Sequence, residues 1–262
     1  MHSRNLIVPR LLLIVSFIAL SSLSPAQQPS NPSLDDILLH LRDDFVQYHA
    51  TIPSFFCDEH VVSAVHQRGT SIPPTIADST FRLRRNTDNG NTALYESRDI
   101  KTINNQPASP GSIITGAAIF TGGFSDALAL VNSGSKACFD YRLSHHGHNL
   151  VIEYSTKQAP EHPETCLSES NSGRAFIDPE TLHIVRIEDK TLDHPMPGGG
   201  GLWTWTIDFH PVDLSGQTFW LPGAITSKAA SNNLPIAWTF TAHYSNCHKL
   251  TVTSHIVPDG DN

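Results

Sequence analysis

The sequence predicts a mainly β domain of the α+β class: an antiparallel sheet of many short strands with one long N-terminal helix. Three observations lead there. From Phe55 onward, apolar residues recur at every second position in run after run. Turn residues cut these runs at hairpin spacing, as in Asp88-Asn89-Gly90, Asn104-Asn105, Pro107 to Gly111 and Gly198 to Gly201. Only one long stretch, near the N-terminus, shows helical spacing. The absence of alternating strand–helix units excludes a Rossmann or TIM-barrel architecture.

The elements follow in order. Residues 1–26 read as a secretory signal. Arg4 and Arg10 form its positive start, Leu11 to Leu20 is apolar apart from Ser16, and Ser24-Pro25-Ala26 sets small residues before a cut after Ala26. A membrane anchor is the alternative, but a span needs about 20 apolar residues. No later segment is long enough to cross a bilayer as a helix, so the chain is not expected to be an integral membrane protein. A polar linker covers 27–32, and one domain is expected over 33–262. Ser33 caps a helix over Ser33–Ala50, with Asp35 and Asp36 at its positive end. Leu34, Ile37, Leu38, Leu41, Phe45 and Tyr48 form its apolar face, and Pro53 stops it.

The first strand region runs from Phe55 to Val65. Further strands are expected at Thr80–Arg85, Ala93–Ile103, Ile113–Phe120, Ala137–Leu143, Asn149–Thr156, Arg174–Ile177 and His183–Lys190. Others follow at Leu202–His210, Thr218–Ser227, Ile236–Tyr244 and Lys249–Val257. A helical interruption capped by Ser125 is expected at Ser125–Val131.

Composition narrows the function. The chain has 262 residues, 17 Lys and Arg against 25 Asp and Glu, and a formal net charge of −8. The expected signal removes two of the positive charges and no acid. An acidic chain without basic blocks lacks the footprint for nucleic acid and for anionic lipid headgroups. At 39% hydrophobic residues it has the composition of a globular domain.

Four cysteines, an even number in an exported chain, point to two disulfides. Cys138–Cys166 would staple a local hairpin and Cys57–Cys247 would tie the first strand region to the last; unpaired thiols are the alternative. The expected location is the periplasm or the exterior.

Common catalytic signatures are missing. Gly-x-Ser-x-Gly, His-Glu-x-x-His and the Gly-x-x-x-x-Gly-Lys phosphate loop do not occur. His145, His146 and His148 have metal-ligand chemistry, but Gly147 among them marks a hairpin turn, so no metal and no cofactor is expected. Asp58 and His60 share one strand face and suit a solvated edge. Glu153, Glu180, Glu188 and Asp208 carry no local signature that would make them a glycosidase pair.

The segment Gly173-Arg-Ala-Phe-Ile-Asp178-Pro179-Glu180-Thr181 has Asp and Pro at the first two positions of a type I turn between strands. This Ile-Asp-Pro-x-Thr hairpin resembles the central hairpin of periplasmic lipoprotein-carrier proteins and the related envelope-stress sensor domains. That resemblance implies a single antiparallel, partly closed β-barrel or strongly curved sheet closed by helices, with Ser33–Ala50 as the leading long N-terminal helix packed on its concave face. Together with Tyr95-Glu-Ser-Arg-Asp-Ile, Phe219-Trp-Leu-Pro and Tyr244-Ser-Asn-Cys-His-Lys-Leu, the same segment resembles a group of exported bacterial proteins with no activity to transfer.

One apolar sheet face stands out. Trp203, Trp205, Ile207 and Phe209 point to one side of a strand; Phe219, Leu221 and Ile225, then Trp238, Phe240 and Tyr244, and then Leu250, Val252 and Ile256 continue it. A helix about 10 Å wide cannot cover such a face. Trp203, Trp205, Phe209, Trp238 and Phe240 are therefore the ligand-contact candidates, with a packed core beneath the helix as the alternative. The leading function is non-catalytic binding of a hydrophobic ligand, lipid, acyl chain or lipoprotein. A protein-interaction or sensor module docking an envelope protein, and a secreted hydrolase, are the other two.

Overall fold

The structure, a computed structural model, describes residues 32–88, 91–114, 120–160, 162–166 and 169–251. The signal expected over 1–26 lies outside the described residues, as does the expected linker apart from Pro32. Helix α1 spans Leu34–Thr51. Strands β1 (Phe55–Gln67), β2 (Thr75–Asp88), β3 (Asn91–Ile103) and the two-residue β4 (Gln106–Pro107) follow. After a long connection come β5 (Phe139–His146), β6 (Asn149–Thr156), β7 (Ser170–Ile177) and β8 (Ile184–Met196). The chain continues through β9 (Gly199–Asp213), β10 (Thr218–Ser231) and β11 (Ile236–Lys249).

These eleven strands make one curved antiparallel sheet, ordered β4-β3-β2-β1-β11-β10-β9-β8-β7-β6-β5. The edges, β4 and β5, do not meet, so the barrel is incomplete.

Helix α1 begins where the sequence dictates. The Ser33 hydroxyl accepts from the Asp36 amide, and the Asp36 carboxylate accepts from the Ser33 amide, a reciprocal cap. Ile37, Leu38, Leu41 and Tyr48 are buried, and the Tyr48 hydroxyl donates to the Phe124 carbonyl at 2.7 Å. Beneath it, β1 alternates faithfully: Phe55, Cys57, Glu59, Val61 and Ser63 face the concave side, while Asp58, His60 and Val62 face out. Phe55, Phe81 and Phe240 are fully buried there, each worth about 1.5–3 kcal/mol. The structure joins Cys57 to Cys247 and Cys138 to Cys166.

Two strand expectations are corrected. Ile113, Ile114 and Phe120 lie in irregular chain, and the residues between, 115–119, lie outside the described set. Ile113 is largely exposed, whereas Ile114 and Phe120 are buried in the core. Their apolar spacing reflects anchoring of a connection, since β4 already occupies the edge of β3. The strand expected at Lys249–Val257 is likewise absent at its start: β11 runs unbroken through Lys249, and Leu250 leaves it with its amide on the Ser54 carbonyl. The rest of that segment, with Val252 and Ile256, lies outside the described residues. At 125–131 the helix is a short 3₁₀ turn over Ala127–Leu130, and its N-cap is Asp126. Ser125 is bound instead to Glu96.

The connection after β4 is clamped onto the hollow by two β3 side chains. The Glu96 carboxylate accepts from the amides of Gly122, Phe124 and Ser125 at 2.9, 2.8 and 3.1 Å. Arg98 donates to the Phe120 carbonyl at 3.4 Å and to the Tyr244 hydroxyl at 3.3 Å. Its Nε donates to Glu59 at 2.7 Å, and the Glu59 side chain is fully buried.

Gly173 on β7 has a packing reason. Tyr154 on β6 lies across it to reach Asp189 on β8, and a Cβ at 173 would stand 2.2 Å from the Glu188 carbonyl. Gly173→Ala is expected to cost about 1–3 kcal/mol through overpacking, measured by urea unfolding. An unchanged midpoint would show that the strand gives way freely.

Candidate functional site

The hollow of the sheet is covered at one end by α1 and in the middle by the 120–135 connection. Between that connection, residues 164–166, Glu169 and the inner face of β7–β9 a cleft of about 570 Å³ remains. Strand parity builds its floor. Asn171, Asp189, Thr191, Trp203 and Trp205 all point inward, because cross-strand partners share a face and Asp189 pairs with Trp205 and Thr191 with Trp203. Phe120 roofs them, its ring 5.0 Å from Trp205 and 5.7 Å from Trp203. Phe139 forms a side wall.

The five ligand-contact candidates are placed differently. Trp203 is half-buried, donates from its indole to Ser227 at 3.4 Å, and lines the cleft beside the buried Trp205. Phe209 is 7% exposed and borders a smaller cavity of about 220 Å³ against Tyr48 and Phe219 under α1. Phe240 is fully buried, between Ser63 and Ser227 in the register. Trp238 pairs with Val65 and Ala229 and is half-buried at the far end of β11.

Sequence reasoning missed the polar part of the floor. Asp189 is 5% exposed; its carboxyl accepts from the Tyr154 hydroxyl at 2.9 Å and from the Thr191 hydroxyl at 3.2 Å. Thr191 alternatively donates to Asn171 at 2.7 Å. Burial, with help from the Glu169 charge, pushes the Asp189 carboxyl up to about 6, against the lowering effect of these two hydroxyls. Glu169 takes a hydrogen bond from His194 at 3.2 Å, and the His194 ring lies on Trp203 with centroids 4.5 Å apart. The signal for Asp189 was available: it follows Ile187 by two, on the apolar parity of β8.

Folding therefore raises the affinity of Asp189 for its proton. Stability from this group is fully present below the ordinary value of 3.8 and is lost as pH rises through about 6. Asp189→Asn is expected to be more stable than wild type by roughly 1–3 kcal/mol at pH 8, with the difference vanishing toward pH 4. Urea unfolding of both proteins at the two pH values checks this; a difference independent of pH would count against it.

The other candidates lie outside the hollow. The β5–β6 hairpin turns at Gly147, whose φ is +61°, with His145 opposite Leu150 and His146 opposite Asn149. Among the described residues, no three His, Cys, Asp or Glu side chains group to hold a metal. Glu188 pairs with Arg174 and Arg186, Asp208 with Arg186, and Glu153 with Arg142, forming a charge ladder on the outer face. His60 bonds Asp78 and Asp58 accepts from Asn246, both exposed. Asp178 accepts from the Glu180 and Thr181 amides at 2.8 and 2.9 Å, which sets the turn before β8.

Fold and site together define an incomplete antiparallel barrel with one helix on its hollow and an aromatic side cleft. No protein-family model and no curated protein matches the sequence. Among solved structures, a LolA superfamily protein from Nitrosomonas europaea matches with a TM-score of 0.36 and 9% identity, covering 82% of this chain and 94% of that one. No described helix is long and apolar enough to cross a membrane.

Proposed function

We propose that this is an exported, non-catalytic protein of the periplasm or exterior that binds a hydrophobic ligand, a lipid or acyl chain, in the cleft beside Trp203 and Trp205. The carrying observation is the cleft itself: about 570 Å³ of space against aromatic walls, within the range of small-molecule sites. Two disulfides among the described residues suit an oxidising compartment. Trp238 and Phe240 serve as supports of the sheet in this reading, and Phe209 lines the minor cavity under α1.

The test uses the natively purified mature protein. Mass spectrometry of released small molecules should find an acyl-bearing compound. N-phenyl-naphthylamine should bind with enhanced fluorescence, and Trp203→Ala should weaken that binding several-fold. An empty protein that also fails to bind the probe would overturn the reading. The interaction-module reading then takes its place, and the outer edge of β5, which has no strand partner among the described residues, supports it.

A further inference from the structure

We propose that the cleft selects amphiphiles carrying a cationic head, a protonated alkylamine being the simplest, over neutral or anionic ones of the same chain. This deepens the hydrophobic-ligand reading and rests on it. The aromatic part of the cleft, Phe120, Phe139, Trp203 and Trp205, gives an alkyl chain its contact surface. The charged part of the described lining is of one sign: Asp126, Glu164, Glu169 and Asp189, with no Lys, Arg or His.

Their depths are graded. Asp126 and Glu164 are exposed at the mouth, Glu169 is half-buried, and Asp189 is buried in the floor. A cleft lined by one sign with low-dielectric walls focuses the field and concentrates counter-charge. An ammonium group reaching the floor meets a carboxyl that has hydroxyl partners and no cationic partner among the described residues. It also meets indole and phenyl rings, which attract cations through their faces.

Nearby basic groups are engaged elsewhere. Lys136 pairs with Asp35, Lys157 donates to the Lys136 carbonyl, and Arg98 is bound to Glu59. His162 faces Glu164 at the mouth. The His194 imidazole beside the cleft is already engaged, its ring between the Glu169 carboxylate and the face of Trp203. An anionic head would instead bring a further negative charge toward Asp189 and Glu169, and no Lys or Arg of the described lining would receive it.

The test measures binding of decylammonium, decanoate and decanol to the mature protein at pH 7.5 by tryptophan fluorescence and calorimetry, below micelle-forming concentrations. Decylammonium should bind at least tenfold more tightly than decanoate. Asp189→Asn and Glu169→Gln should each reduce that preference several-fold while decanol binding stays within twofold. Glu180→Gln, an exposed acid on the β7–β8 turn, should leave the preference unchanged and so controls for the net negative charge.

Equal binding of the three probes would overturn the selectivity and leave the hydrophobic-ligand reading standing. A cation preference untouched by both cleft variants would overturn the site. Failure of all three probes would remove the underlying reading as well.

Discussion

Replacing Glu59 with leucine is expected to lower the free energy of unfolding by about 3–5 kcal/mol, and adding Arg98→Met to the same chain should restore most of the loss. The reason lies in the hollow. Glu59 is fully buried on β1 and accepts from the Ser79 hydroxyl as well as from Arg98, whose own side chain is 13% exposed. Removing the carboxylate alone strands a guanidinium in a low-dielectric site, where the Tyr244 hydroxyl, the Phe120 carbonyl and the face of the Phe81 ring remain to it among the described residues. Removing both charges eliminates that penalty. The double variant should stay about 1–2 kcal/mol below wild type, because the Phe120 carbonyl and the Tyr244 hydroxyl lose their donor. Burial holds the Tyr244 phenol well above its usual range, so it stays neutral and cannot take over the ion pair. Urea unfolding of the two single variants and the double gives the cycle. A double variant as unstable as the sum of the singles would mean that the pair is not coupled as described.

The second large effect belongs to the Cys57–Cys247 bond. It joins residues 190 apart in sequence, against 28 for Cys138–Cys166. Constraint of the unfolded chain grows with the loop closed, so converting Cys57 and Cys247 to alanine should cost about 5 kcal/mol. Converting Cys138 and Cys166 should cost about 3–4 kcal/mol. Non-reducing urea unfolding of the two double variants tests the order; the reverse order would show that native-state strain or residual structure outweighs loop length.

Much of the fold was legible because burial imposes a period. Leu34 to Tyr48 repeats every three or four residues and forms α1, and Trp203 to Phe209 alternates and forms the inner face of β9. Asp178-Pro179 predicts a turn because a carboxylate there can cap two amides, as it does. The strand expected at Ile113–Phe120 failed for a physical reason. Ile114 and Phe120 are apolar because they plug a hollow, and a plug has no period. The cleft chemistry was half legible. Trp203 and Trp205 advertise themselves by size, whereas Asp189, Glu59 and Arg98 are charged residues on apolar parity. Their meaning depends on partners one to three strands away, a relation that only the sheet order supplies.

That order has a consequence for assembly. Read around the sheet from β5 to β11 and then from β1 to β4, it is the chain's own sequence with the cut moved: every neighbouring pair except β1–β11 is consecutive along the chain. The sheet is thus two meanders sewn at a single seam, in which Phe55 lies opposite Lys249 and Gln67 opposite Ile236. Each meander can zip from local turns, but the seam must close a loop of most of the domain, and such non-local pairing slows folding. Until it closes, both seam strands offer bare edges to other chains. A circular permutant opened between β4 and β5, with a linker joining the end of β11 to the start of α1, converts the seam into a nearer connection and should fold faster.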